Sequence, residues 1–310
     1  MKRIKTTCKK ILRYWQVYLF LFIPVIYLLL FCYWPMAGLQ IAFKKFSLAD
    51  GIWGSPFVGL YQFEKFFRSY EFKRILKNTL LISIYSIAAS FPIPIIFALL
   101  LNSIRQGKFS KCVQTITYIP HFISTVVLVG MILQIFNSRV GLYGIIYQAV
   151  TGHLPEDILS KASAFPHLYV LSGIWQSFGW DSIIYLAALT GISQELHEAA
   201  QIDGASRFKR LLYIDLPGIL PTITIMLILN AGRVMSIGFE KVYLMQNNLN
   251  LSASEVISTY VYKIGMGVGG TAIPDYSYST AISLFNSVIN LMLICTVNTV
   301  SRRLSETSLW

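Results

Sequence analysis

The stretch EAAQIDGASRFKRLLYIDLP, Glu198 to Pro217, decides how the chain is read. It is polar and lies between long apolar segments. Glu198 is followed by Ala199 and Ala200, and after three further residues by Gly204. Nine residues separate Gly204 from Ile214, and Leu216-Pro217 closes the run. The segment before Gly204 predicts a short helix with Ser193 as its N-cap, because a serine hydroxyl accepts from an orphan amide in the first turn. Leu196, Ala199 and Ala200 form a small apolar face on it. Gly204 suits the stop, since glycine adopts left-handed backbone angles at little cost. ASRFKRLLYID predicts a second helix with Phe208, Leu211 and Leu212 on one side, limited by Pro217. Periodicity alone favours an ordinary amphipathic connector. A docking lever would need the same parts: rigid arms, a fixed bend and a compact apolar knob.

The composition places this stretch in a membrane protein. Of 310 residues, 55% are hydrophobic and 13% are charged, against roughly 25% charged in soluble domains. The net charge of +12 is accounted for by lysines and arginines flanking apolar segments, so nucleic acid is not implied. Residues 14–43 carry no charge. That is longer than the ~7–15-residue core of a signal peptide, so the segment is expected to be a retained span. The cysteines Cys8, Cys32, Cys112 and Cys295 show no paired spacing and read as free thiols.

A helix needs roughly 20 apolar residues to cross the hydrocarbon core. Spans are predicted near 15–37, 78–101, 113–136, 168–190, 219–241 and 280–300. The segment 140–150 is too short to cross and predicts a short interfacial or packed helix. The fold class is therefore all-α, with six transmembrane helices. With a cytoplasmic N-terminus, 14 of the 26 basic residues face inward, 11 face outward and Arg233 lies within a span. The positive-inside rule favours that orientation, N-in and C-in. Residues 44–77 hold seven of the outward basic residues. Part of this segment, LYQFEKFFRSYEFKRIL (60–76), predicts one amphipathic helix with Phe63, Phe66, Phe67 and Tyr70 on a face. The domains are a basic N-terminus 1–14, a transmembrane domain 15–303 containing the loop 193–217, and a tail 304–310.

Asp181 and Arg233 fall inside predicted spans. A charge there costs about 2.5–3.5 kcal/mol on insertion scales and usually faces the bundle interior, so the two are expected to face inward; a direct structural pair is one expectation and a place in the pathway the other. Trp175, Trp180 and Tyr185 cluster near Asp181, and Asn230 adds an amide. Aromatic faces stack on sugars, which makes these six residues a candidate substrate path. Aromatic packing or interface anchoring is the alternative. His121, without a second ligand, is not a metal site and is expected to be buried, neutral and hydrogen-bonded. Pro24, Pro92 and Pro94 are expected to kink their helices. No metal or catalytic residues are predicted: phosphate-loop, zinc-protease, C-x-x-C and nucleophile-elbow patterns are missing, and Gly107-Lys108 is followed by Phe109.

The loop resembles the cytoplasmic EAA loop of bacterial ABC importer permeases, E-A-A-x3-G-x9-I-x-L-P, at every specified position. Further stretches extend the resemblance to the maltose-type carbohydrate permeases: WPMAGLQIAFKKF (34–46), FVGLYQFEKFF (57–67), NTLLIS (78–83), YIPHFIS (118–124), GWDSIIYLAALTGI (179–192) and SRRLSETSLW (301–310). The chain is similar above all to the subgroup associated with oligosaccharides and polysaccharide fragments in Gram-positive bacteria. The resemblance implies a MetI-like permease bundle in the bacterial cell membrane that imports a carbohydrate by alternating access. It implies a second homologous permease as heterodimer partner, two ABC ATPase subunits that bind ATP and magnesium, and an extracellular solute-binding protein. The chain itself would hold no cofactor and contact membrane lipid. The coupling residues it implies are Glu198, Ala199, Ala200, Asp203, Gly204, Ile214, Leu216 and Pro217. Two other functions fit the same residues: import of a peptide or polyamine on this scaffold, or a membrane scaffold or sensor without transport.

Overall fold

The computed structural model describes residues 13–104, 107–268 and 273–305, with side chains as far as residue 302. The basic residues at positions 2–10, Cys8, Arg105 and the tail from 306 lie outside the described residues. The chain divides into two compact units. One holds the residues up to Phe66 together with Ile264–Leu284; the other holds Phe67–Lys263 and the residues from Phe285 onward.

In the first unit the apolar run Trp15–Phe43 is helical throughout. Pro24 sits inside its α-helical part, Trp15–Leu28. Its most apolar stretch buries nothing within this chain, as expected of a helix whose solvent is lipid. The amphipathic helix runs only from Tyr61 to Arg68, shorter than the single helix expected over 60–76. Ser69 breaks it: its backbone is extended and its hydroxyl accepts from the Phe72 amide at 3.2 Å, starting a new helix. Phe66 is fully buried and meets the Tyr278 ring at 6.3 Å, whereas Tyr70 is 87% exposed. The turn at Ser69 carries Tyr70 off the face that a continuous helix would have given it.

In the second unit the helix Tyr70–Ser90 is followed by Pro92–Ser103. The first missing proline donor falls at the junction, where a helix tolerates it. The 26-residue helix Phe165–Thr190 packs against both. It also passes close to Lys108–Tyr118. A Cβ at Gly179 would run into the Thr117 carbonyl, so glycine is needed at that crossing. One core gathers Ile82, Leu128, Val129, Ile132, Phe165, Ile237, Val242, Met245 and Val256. A second gathers Ile95, Ala98, Leu99, Tyr185, Leu189 and Ile219. The short helix expected at 140–150 is Leu142–Thr151.

Two expected spans are broken. The segment expected as a continuous helix over 113–136 bends by 97° between Lys108–Phe122 and Thr125–Ile135. Pro120 lacks an amide to continue the ladder, and Ser124 caps the next helix, accepting from the Val127 amide. The Ile123 carbonyl released by the break accepts from Gln176 Nε2 at 2.8 Å. The fifth helix ends at Ala231, ten residues before the expected end. Residues 232–238 lack regular helix before Phe239–Met245 begins. Asn290, on the final helix Tyr276–Ser305, serves this unwound stretch. Its Oδ1 accepts from the Met235 amide at 3.0 Å, and its Nδ2 donates to Ser236 Oγ at 2.8 Å. Ser83 donates to the Val234 carbonyl. Non-helical backbone survives at membrane depth only where protein or water satisfies it, and here side chains of neighbouring helices do so.

Among the described residues, three helices are long and apolar enough to cross a membrane, and each bent pair adds one, up to five. Cys32, Cys112 and Cys295 are free. An Asn290→Leu change leaves the buried Met235 amide without its acceptor, a loss of about 1–3 kcal/mol. The expected outcome is a melting temperature lower by several degrees for the purified protein in detergent; an unchanged melting curve would show that the unwound stretch does not depend on Asn290.

Candidate functional site: an exposed coupling loop and a polar cavity

The loop predicted from the opening motif is built as two arms about a glycine bend. The first arm, Gln194–Ile202, is capped by Ser193, whose hydroxyl accepts from the Glu195 amide at 3.2 Å. At its far end the Ala205 amide donates to the Ala200 carbonyl at 2.8 Å, and the Gly204 amide to the Gln201 carbonyl at 3.1 Å. This paired closure is the Schellman arrangement, which requires a left-handed residue. Gly204 supplies it at φ +78°. Ser206 then caps the second arm, accepting from the Lys209 amide at 3.3 Å. That arm runs through Arg207–Arg210 and a π-helical turn, Leu211–Asp215, into Leu216–Gly218. The helix therefore passes Pro217, and the 58° bend falls beyond Gly218. The wider π turn lies where a proline two residues on withholds its amide from the ladder.

The knob is exposed while its base is anchored. The first arm buries no residue. Glu198, Ala199, Asp203 and Gly204 are exposed, and Ala200 is half-buried. Ile202 is 87% exposed and Phe208 is 69% exposed. Leu211 and Leu216 instead pack on the second core, so Phe208 and Leu211 do not share one free face. Ile214 is half-buried and Pro217 is exposed. Asp215, buried at 4% exposure, joins three elements. Its Oδ1 lies 3.3 Å from His197 Nε2 of the first arm and accepts from Asn102 Nδ2 at 3.5 Å. A Cβ at Gly218 would come 2.6 Å from Ile192 Cδ1, so the two ends of the loop are held at close quarters. Sequence reading missed His197, Asn102 and Asp215. Their contact joins residues far apart in the chain, and no local pattern signals it.

The six candidate path residues separate into two groups. Asp181, Tyr185, Asn230 and Arg233 line one cavity of about 470 Å³, along with Ser86, Ser90, Gln176, Tyr169 and Lys241. Asp181 and Arg233 share the cavity without forming an ion pair among those described, so the direct pairing expected from their depths does not occur. Trp175 and Trp180 stand outside the lining. Val170, Gly173, Ser177 and Asp181 recur at helical spacing along the cavity face, and positions 175 and 180 turn away from it. Trp180 stacks on His121 with ring centroids 4.5 Å apart and planes 2° from parallel, and Phe122 meets it edge-on at 5.5 Å. His121 is thus a half-buried stacking partner rather than a buried, hydrogen-bonded histidine. Lys241, the last residue of the span expected over 219–241 and not among the candidate path residues, reaches the same cavity.

A family match and close relatives accompany this geometry. Residues 90–306 match the family described as binding-protein-dependent transport system inner membrane component, and the chain belongs to that family. It is accordingly a multi-pass membrane protein and a permease subunit of an ABC importer, a class of subunit that is not catalytic. Two relatives come from Bacillus subtilis (strain 168). Protein LplB is 40% identical over 294 residues, covering 95% of this chain and 91% of its own length. The polygalacturonan/rhamnogalacturonan transport system permease protein YteP is 39% identical over 297 residues, with the same two coverages. Among solved structures, a chain of a bacterial ABC transporter involved in the import of the acidic polysaccharide alginate is 36% identical. It superposes with a TM-score of 0.88 over 97% of this chain and 99% of its own.

The loop geometry generates a direct expectation. A β-branched side chain in the left-handed region is disfavoured by about 1–2 kcal/mol. Gly204→Val therefore speeds tryptic cleavage at Arg207, Lys209 and Arg210 several-fold, and Gly204→Asn, which tolerates those angles, does so far less. Equal cleavage of all three proteins in limited proteolysis would show that the bend does not rely on Gly204.

Proposed function

We propose that the chain forms one half of the translocation pathway of an ATP-driven importer of oligosaccharides or polysaccharide fragments. The observation that carries this is the loop at 193–217: a rigid, capped lever whose base is anchored through Asp215 and whose knob buries nothing. A helix with exposed apolar residues such as Leu196 and Ile202, held in one geometry, is suited to a second protein. In this reading that protein is one of two cytoplasmic ATPase subunits, which bind ATP and magnesium. A homologous second permease completes the pathway. A solute-binding protein delivers the sugar from outside; the family description, and a solved alginate transporter in complex with a pentasaccharide-bound periplasmic protein, support that partner.

The spans number six in this reading. The Phe165–Thr190 helix joins the five apolar candidates, and both termini are cytoplasmic, with the loop between spans four and five. The domain limits 1–14, 15–303 and 304–310 follow from that topology. ATP binding closes the ATPase pair. The lever transmits the movement through Asp215 to the helices around the cavity, giving alternating access. The carbohydrate assignment draws support from YteP and the alginate transporter. The cavity's hydroxyl and amide groups (Ser86, Ser90, Gln176, Asn230) and Tyr185 suit a hydroxylated ligand.

Uptake by the importer, co-expressed with its partners in proteoliposomes, tests the reading. Glu198→Lys is expected to abolish oligosaccharide uptake while the chain still inserts in the membrane. Uptake at the wild-type rate would show that the loop does not couple this chain to an ATPase, and wild-type transport of peptides or polyamines in place of sugars would move the substrate class. The same assay separates the two groups of path residues. Asn230→Leu reduces uptake at least about fivefold, whereas Trp175→Ala stays within about twofold of wild type; the reverse pattern would place the path on the other face of the helix.

A further inference from the structure

We propose that Lys241 makes this permease selective for acidic saccharides, its ammonium binding a sugar carboxylate as the chain crosses the cavity. The inference rests on the carbohydrate reading above and adds the charge of the substrate.

Lys241 is 9% exposed. It opens toward the cavity, and its Nζ donates to the Tyr169 carbonyl at 2.9 Å and lies 4.9 Å from the centroid of the Tyr169 ring. An ammonium has three donors, and the carbonyl occupies one. No ion pair of Lys241 occurs among the described residues. Gly173 faces it across the cavity wall, where a Cβ would stand 3.4 Å from Nζ. The glycine leaves room for the ammonium to lie against the Phe165–Thr190 helix, where the Tyr169 carbonyl and ring meet it.

The lining as a whole carries the same sign. It contains one carboxylate, Asp181, and two cations, Arg233 and Lys241, and Arg233 likewise forms no ion pair among the described residues. Taking an uncompensated charge out of water costs several kcal/mol per ion. Neutral sugars need no such charge, because hydroxyls are matched by the serine and amide groups already present. A carboxylate-bearing ligand does need it: an ammonium–carboxylate hydrogen bond is roughly twice as strong as a neutral one, and the incoming anion offsets the buried cation. A cationic substrate such as a polyamine would meet repulsion from both cations.

Lys241→Gln and Lys241→Met test the assignment in the reconstituted importer with its partner permease, ATPases and binding protein. Methionine keeps an unbranched stem and needs no hydrogen bond, so the second variant remains readable where the first fails to assemble. The probes are trigalacturonate, an alginate trisaccharide and their carboxyl-reduced, neutral counterparts. Uptake by each variant is divided by wild-type uptake of the same probe, which cancels the binding protein's own preference. The expected result is an acidic-probe uptake at least about tenfold lower, with the amount of assembled complex within about twofold of wild type. Neutral-probe uptake should hold or rise, and Lys241→Arg should recover most of the acidic uptake. Unchanged acidic uptake overturns the proposal, as does an equal fall for acidic and neutral probes, which would mark Lys241 as a packing residue. A wild-type importer that carries only the neutral probes also overturns it and leaves the carbohydrate reading standing. If wild type carries neither kind, the carbohydrate reading itself fails.

Discussion

Every backbone amide and carbonyl at membrane depth must find its partner inside the protein, because hydrocarbon offers none. Two helices of this chain are interrupted, and both interruptions are served by side chains from elsewhere. Gln176 takes the Ile123 carbonyl where the third predicted span bends by 97°. Asn290 takes the Met235 amide, and Ser83 the Val234 carbonyl, where the fifth helix unwinds. These contacts satisfy backbone groups that the departures from straight helix release. The departures shape the cavity: the unwound stretch carries Arg233 and leads to Lys241, and both line it.

The coupling loop uses the complementary strategy. Its helix ends are closed locally by Ser193, by the Gly204 bend and by Ser206, so the lever keeps its shape while its outer surface stays free. Its attachment to the rest of the chain is concentrated at one buried carboxylate, Asp215, reached by His197 from the loop and Asn102 from the Pro92–Ser103 helix. The second core, which includes Tyr185 and Ile219 with Leu211 and Leu216 packed on it, connects this attachment to the cavity wall. The loop is thus joined to the polar interior by a continuous packed route.

The long helix Phe165–Thr190 divides its labour by face. The cavity face carries Gln176, Asp181 and Tyr185, and Gly179 permits the close crossing with Thr117. Trp180 on another side stacks with His121 beside the break in the third predicted span. An aromatic cluster that reads in sequence as one site is in fact two structures on one helix.

Several features were legible from the residues alone. The loop's spacing, its serine cap and its left-handed glycine are local properties, dictated by backbone sterics and hydrogen bonds within a few positions. The apolar runs announce themselves by length, because hydrocarbon thickness sets one scale for every span. What only the tertiary structure decided depends on contacts between distant segments. The ends of the broken helices rest on Gln176 and Asn290. The amphipathic helix stops at Ser69, where a capped turn competes with periodicity that spans it. Asp181 and Arg233 share a cavity without pairing, because depth along a span does not specify rotation about the helix axis. Lys241 became part of the site for the same reason: whether a basic residue near a span end meets solvent or the interior is settled by the packing around it, which no local pattern encodes.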